Sequence, residues 1–86
     1  MNRNNRTQRI VLIDDSAEDR ARLRAALLKG APWRRYQFRE ADNGVDGLEL
    51  CRPDPDWPID CIITDVQMPR MSGLDILRQL KNEEQD

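Results

Sequence analysis

Three aspartates stand where two short apolar runs of the sequence end. Asp14 and Asp15 directly follow residues 10–13, and Asp65 directly follows residues 61–64. Short runs that are apolar nearly throughout are typical of buried strands in a parallel sheet. Ligands bind at the carboxyl ends of such strands, and carboxylates gathered there repel each other unless a cation or a proton joins them. The pattern therefore indicates a divalent-metal site with one carboxylate left for chemistry.

Magnesium suits this set of residues, because it takes about six oxygen ligands and keeps several waters beside one or two carboxylates and a phosphate oxygen. Asp15 and Asp65 are the candidate direct ligands, with Asp14 holding a coordinated water and a backbone carbonyl after Asp65 completing the set. Asp65 is also the candidate nucleophile, since a carboxylate can accept a phosphoryl group as an aspartyl phosphate. In the simpler alternative, Asp14 and Asp15 only favour the N-terminus of the next helix, which leaves Asp65 without a role.

Six predicted elements alternate along the chain and position these acids. Strand, helix, strand, helix, strand, helix is the order typical of an α/β fold with parallel strands, right-handed crossovers and helices on both faces. Apolar periodicity, caps and turn residues set the boundaries. The predicted strands cover residues 9–14, 36–41 and 59–64, and the predicted helices begin after Ser16, at Val45 and at Gly73.

Composition narrows the class of protein. The chain has 86 residues, enough for one domain, and its formal net charge of −2 argues against a general polyanion binder. We expect no nucleic-acid or membrane partner, because we find no helix-turn-helix segment and no apolar stretch long enough to span a bilayer. Without a recognisable signal peptide, a cytoplasmic location is expected. Cys51 and Cys61 are predicted to be reduced core residues.

Two longer runs carry a resemblance to a known family. Residues 10–16 (IVLIDDS) and 62–74 (IITDVQMPRMSGL), with EADNG at 40–44 between them, resemble the receiver domain of two-component response regulators. Order, spacing and identity agree together across residues 9–80. The resemblance implies a flavodoxin-like, doubly wound parallel sheet, here reduced to three strand-helix units in the strand order 2-1-3.

The resemblance also implies roles for particular residues. Asp65 matches the phosphoacceptor, which takes a phosphoryl group from a histidine kinase or a phosphotransfer protein. Asp14 and Asp15 match the acidic pair, and Mg²⁺ would be held by Asp14, Asp15, Asp65 and the backbone carbonyl of Gln67. Pro69 and Gly73 match the family's turn residues. They are expected to shape the loop after Asp65 without taking part in the chemistry.

The resemblance covers three of the family's five strand-helix units. We expect residues 1–8 to form a flexible polar leader and residues 9–86 a partial receiver domain, without the fourth and fifth units and their Ser or Thr and Lys. The loops around Trp33 and over residues 51–58 resemble those of receivers in hybrid sensor kinases. An unpaired edge on the third strand predicts self-association or binding of a complementing segment.

Two classes of function follow from these patterns. In the first, the chain is a phosphoacceptor module of a two-component phosphorelay and not an enzyme, with Asp65 phosphorylated in the presence of Mg²⁺. In the second, it is an interaction module that docks on a kinase or a regulator independently of phosphorylation. A Mg²⁺ phosphohydrolase of the aspartyl-phosphate kind is disfavoured, because such motifs place a second acid two positions after the nucleophile, where this chain has Gln67.

Overall fold

The computed structural model describes residues 6–65 and 73–84. It has the predicted alternation of three strands and three helices. In chain order the elements are β1 (Thr7–Ile13), α1 (Ala17–Gly30), β2 (Arg35–Ala41), α2 (Gly44–Leu50), β3 (Cys61–Thr64) and α3 (Gly73–Glu84).

The strands form one parallel sheet in the order β2-β1-β3, as the resemblance implied. The register pairs Ile13, the last residue of β1, with Ala41 on one side and with Thr64 on the other. All three strands therefore end at the same level. Because the residues that follow them must leave the sheet together, this register brings distant parts of the sequence to one edge.

Residues 10–13 of the central strand are buried on both faces, which explains why this part of β1 is apolar throughout. Val11 and Ile13 belong to a cluster with Ala41, Leu48, Cys51 and Ile76, so α2 and α3 cover that face. Ile10 and Leu12, at 3% and 0% exposure, point to the opposite face because side chains alternate along a strand. The crossovers from β1 to β2 and from β2 to β3 run in opposite directions, so right-handed connections would place α1 on the second face. Hydrogen bonds from Arg20 and Arg24 of α1 to Glu40 agree with this placement.

At the amino ends of the strands, an acid ties β3 to β1. The Asp60 carboxylate accepts hydrogen bonds from the backbone N–H of Arg9 at 2.8 Å and from the Arg6 guanidinium at 2.7 Å. The backbone N–H of Asp60 donates to the carbonyl of Arg9 at 2.8 Å. A second contact involves the loop between α2 and β3. The Arg39 guanidinium of β2 lies over the ring of Trp57 in this loop, 4.2 Å from its centroid, and holds the loop against β2.

Two expectations from the sequence need correction. Cys51 is buried as predicted, but Cys61 is exposed, because it is the first residue of a short strand at the edge of the sheet. The strand β1 begins at Thr7, so Thr7 and Gln8, placed in the leader, pair with Arg35 and Tyr36 of β2 instead. Both cysteines are free thiols, as expected.

Candidate metal centre

One peptide unit joins the ends of all three strands. The carbonyl of Ile13 accepts a hydrogen bond from the backbone N–H of Asp65 at 2.9 Å, and the N–H of Asp14 donates to the carbonyl of Ala41 at 3.0 Å. The carbonyl of Ile13 and the N–H of Asp14 belong to the same planar peptide group. Because this peptide group is hydrogen-bonded on both sides, the backbone positions of Asp14 and Asp65 are fixed relative to each other.

The turn after β1 fixes the acidic pair. The Asp14 carboxylate accepts a hydrogen bond from the backbone N–H of Ser16 at 2.9 Å. Ser16 precedes α1, as predicted, and is its N-cap, since its hydroxyl accepts from the N–H of Asp19 at 3.2 Å. Asp14 and Asp15 therefore lie just before a helix N-terminus, where the helix dipole favours negative charge.

A charged network between α1 and β2 supports the same turn. The Arg20 guanidinium donates to the carbonyl of Asp14 and, at 3.0 Å, to the carboxylate of Glu40. Arg24, one helical turn further on, donates to the same Glu40 oxygen at 2.6 Å. The Arg20 side chain is only 17% exposed, so solvent competes little for these hydrogen bonds.

The structure brings the three predicted acids together. Asp14, Asp15 and Asp65 each place a carboxylate oxygen within 4.8 Å of the other two, with Asp14 and Asp65 half-buried and Asp15 exposed. Within the described parts of the chain, this is the one group of three or more acidic, histidine or cysteine side chains close enough to share a metal ion. Three carboxylates at this separation raise each other's energy when all are ionised, and a bound cation removes that cost.

The geometry fits a small divalent cation. With Mg–O distances of about 2.1 Å, neighbouring ligand oxygens of an octahedron lie about 3 Å apart and opposite ones about 4.2 Å apart. The three carboxylate oxygens lie within 4.8 Å of one another, which is close to the larger of these separations. All donors are hard oxygens, which suit Mg²⁺ better than a thiophilic metal.

Some predicted site residues lie outside the described part of the chain. Gln67 and Pro69 belong to residues 66–72, so the predicted carbonyl ligand and the turn proline stay predictions. Gly73 is the first residue of α3. On the described side, the Thr64 hydroxyl donates to the carbonyl of Asp65 at 3.1 Å.

The residues that support the turn after β1 were not among the predicted site residues. Arg20 and Arg24 lie one turn apart on α1, and that spacing was the available signal for a basic face meeting an acid on a neighbouring strand. Asn43, which caps α2 by accepting from the N–H of Asp46 at 2.8 Å, follows the end of β2. Its placement directly before a helix after a strand is a sequence-level cap signal.

Comparison with known proteins agrees with the observed fold. The sequence model of the family described as "Response regulator receiver domain" matches residues 10–86. The chain therefore belongs to the response regulator receiver domain family, whose members are signalling modules and not classical enzymes.

Individual relatives come from distant organisms. The two-component response regulator ORR7 of Oryza sativa subsp. japonica is 35% identical over 84% of this chain and 31% of its own length. The response regulator MprA of Mycobacterium leprae is 36% identical over 86% of this chain and 29% of its own length. The chain thus spans about a third of the curated relatives that it matches.

Solved structures show the same fold. A response regulator receiver domain protein from Clostridium thermocellum superposes with a TM-score of 0.71 at 29% identity, covering 88% of this chain and 56% of that one. A chain from the complex of histidine kinase ThkA with response regulator protein TrrA gives 0.70 at 26% identity, covering 92% of this chain and 62% of that one. In the described residues, no helix has the length and apolar character needed to cross a membrane.

Proposed function

We propose that this chain is a phosphoacceptor module of a two-component phosphorelay, with Asp65 as the residue that is phosphorylated. The observation that carries the proposal is the cluster of three carboxylates at the carboxyl ends of β1 and β3. Asp65 is fixed there by the hydrogen bond between its N–H and the carbonyl of Ile13. The phosphodonor is a histidine kinase or a phosphotransfer protein, and the similarity to a chain of the ThkA–TrrA complex supports the first of these.

Mg²⁺ is the cofactor that the donor set fits. Asp15 and Asp65 would be direct ligands of the ion, and Asp14 would hold a water molecule coordinated to it. The backbone carbonyl of Gln67 would be the remaining ligand supplied by the protein. The bound ion supplies charge neutralisation for the carboxylates and for the phosphoryl oxygens during transfer. The half-burial of Asp14 and Asp65 supports these roles, because charge pairs are stronger where water is partly excluded.

In the transfer itself, a carboxylate oxygen of Asp65 attacks the phosphorus atom of the donor phosphohistidine. The new P–O bond forms as the P–N bond breaks, and the imidazole leaves with the electron pair of that bond. Little covalent chemistry is required of the protein, so positioning and electrostatic stabilisation are its main contributions. The hydrogen bond between Asp65 and β1 supplies the positioning, since it fixes the backbone that carries the attacking oxygen.

Intact-mass measurement after incubation with acetyl phosphate and Mg²⁺ tests this proposal. The wild-type chain is expected to gain the mass of one phosphoryl group, and Asp65→Asn is expected to gain none. Asp56→Asn is the matched control, because Asp56 is an exposed acid in the loop before β3. A chain that gains no phosphoryl group, or an Asp65→Asn variant that gains one, would contradict the assignment.

The edge of β3 favours a second candidate, an interaction module that works without phosphorylation. Among the described residues, β3 pairs with β1 alone. A cavity of about 850 Å³ lies beside it, with Ile59, Ile62 and Leu80 in its wall. A kinase pull-down in which Asp65→Ala binds as well as wild type would support this candidate over the first.

The same edge supports the proposal that the chain self-associates, since unpaired strand edges recruit other strands. Sedimentation velocity over a range of protein concentrations tests it, and a compact monomer at the highest concentration would contradict it. The cytoplasmic location stays a prediction, supported by the two free thiols.

A further inference from the structure

We infer that Arg20 is a positioning residue for the metal centre and sets its affinity for Mg²⁺ without touching the ion. The inference rests on the proposed function, since it concerns the same site. Its basis is one bridge, in which the Arg20 guanidinium joins the carbonyl of Asp14 to the carboxylate of Glu40.

The carbonyl that Arg20 holds belongs to the peptide unit between Asp14 and Asp15. Because that unit is planar, a hydrogen bond to its oxygen also fixes the N–H of Asp15 and the directions in which both side chains leave the backbone. The preceding peptide unit is already held by Ala41 and Asp65. Arg20 therefore extends the ordering of the backbone from the strand end to the acidic pair.

Arg20 is itself held in place. Its side chain is largely buried, and its partner Glu40 lies in β2 directly before Ala41, whose carbonyl accepts from Asp14. Both acceptors of the guanidinium thus lie next to the strand ends that form the site. Residues that orient metal ligands in this way change metal affinity by about 10- to 100-fold when they are replaced.

Arg20 affects the site by position and by charge, and these two effects have opposite signs. Its positive charge near three carboxylates weakens cation binding, so removing that charge alone would tighten it. Loss of the hydrogen bond to Asp14 frees the turn and weakens binding. The direction of the change in Mg²⁺ affinity therefore separates positioning from charge.

Arg24 provides the matched control. It donates to the same oxygen of Glu40 from the same helix, whereas the carbonyl of Asp14 accepts from Arg20. Arg24→Gln removes one charge and one bond to Glu40, as Arg20→Gln does, and it leaves the bridge to Asp14 in place. Any general weakening of the contact between α1 and β2 affects both variants.

The experiment combines calorimetric titration with MgCl₂ and amide hydrogen exchange by NMR without metal. For Arg20→Gln we expect Mg²⁺ to bind about tenfold more weakly. We also expect faster exchange at the Ser16 amide, whose acceptor is the Asp14 carboxylate. Arg24→Gln is expected to bind Mg²⁺ at least as tightly as wild type and to keep the wild-type exchange rate at the Ser16 amide.

The inference requires weaker Mg²⁺ binding and faster exchange at the Ser16 amide in Arg20→Gln, and neither of these changes in Arg24→Gln. Any other combination overturns the inference, including tighter Mg²⁺ binding by Arg20→Gln. A wild-type chain that binds no Mg²⁺ overturns the proposed function together with the inference. A wild type that binds, beside an Arg20→Gln variant that binds equally well, overturns the inference alone.

Discussion

Acidic side chains lie at both ends of β3, and their surroundings differ. At the amino end, the Asp60 carboxylate meets the Arg6 guanidinium and the backbone N–H of Arg9. At the carboxyl end, Asp65 lies within 4.8 Å of two further carboxylates, those of Asp14 and Asp15. One end pairs opposite charges and the other gathers like charges.

The difference separates stability from function within one short strand. An acid that accepts hydrogen bonds from a guanidinium and a backbone amide contributes to folding. Acids that repel each other oppose folding, and the proposed Mg²⁺ would offset that repulsion. Substitution of Asp60 should therefore change stability, whereas substitution of Asp14, Asp15 or Asp65 should change metal binding.

Gly47→Ala should give the largest change in stability, and it acts from the carboxyl end of the sheet. A Cβ atom at Gly47 would lie 2.6 Å from Cδ1 and 2.7 Å from Cγ2 of Ile13, a fully buried core residue. Overpacking of this kind costs about 1–3 kcal/mol. Urea denaturation measures the loss of stability. Because Ile13 directly precedes Asp14, we also expect Gly47→Ala to bind Mg²⁺ more weakly than wild type.

Gly30→Ala is the control for that substitution, because a Cβ atom there meets nothing within 4 Å. Alanine in a helix is favoured over glycine by up to about 1 kcal/mol. The control should be as stable as wild type or slightly more stable. Equal stability of Gly47→Ala and Gly30→Ala would refute the close packing of α2 on β1.

Asp60→Ala tests the contribution of the amino end of β3 to stability. It removes the acceptor for Arg6 and for the N–H of Arg9, and hydrogen bonds to a charged group contribute about 1.5–3 kcal/mol when well formed. Because Arg6 is mostly exposed, we expect a loss near the lower value, about 1.5 kcal/mol. Chemical denaturation measures the loss, and calorimetry should show unchanged Mg²⁺ affinity. An altered affinity would mean that the two ends are coupled.

Much of the candidate site could be predicted from the sequence. Asp14 and Asp65 follow apolar runs that are recognisable as strands, and parallel strands align their carboxyl ends. Ser16 as a helix cap is a local signal, which the hydrogen bond from Asp19 confirms. The strand order followed from the family resemblance, since local patterns do not specify which strands are neighbours.

The supporting contacts could not be predicted in the same way. Arg20 meets Glu40 across 20 positions, and Asp60 meets Arg9 across 51, and such pairs depend on the register of the sheet. Cys61 was wrongly placed in the core because its neighbours are apolar, although an edge position exposes the start of β3. Burial at an edge depends on which strands pair, and the local sequence does not contain that information.

The effect of Mg²⁺ on stability tests the proposed metal site at the carboxyl ends of β1 and β3. A ligand that binds only the folded chain stabilises it by RT ln(1 + [L]/Kd), which is about 1.4 kcal/mol at ten times Kd. Thermal unfolding should show this gain for wild type and for Asp60→Ala, and little gain for Asp15→Asn, which lacks one ligand charge. Equal stabilisation of Asp15→Asn by Mg²⁺ would remove Asp15 from the site.

The smallest effect concerns Cys51, in the apolar cluster between the two ends. Burial raises the pKa of the Cys51 thiol above its ordinary value of 9.0, because a thiolate is poorly solvated there. The unfolded chain therefore loses this proton at a lower pH than the folded chain does. The stability contributed by the neutral thiol is fully present below about pH 9 and is lost as the pH rises through the folded pKa.

Denaturation midpoints at about pH 8 and about pH 10 measure this loss. Other groups titrate in the same range, so the quantity that matters is the difference between variants. Wild type and Cys61→Ala should lose more stability between the two pH values than Cys51→Ala, because only they retain the buried thiol. The apolar cluster around Cys51 offers a thiolate no oppositely charged partner among its members. An equal loss of stability in all three proteins would mean that water reaches Cys51.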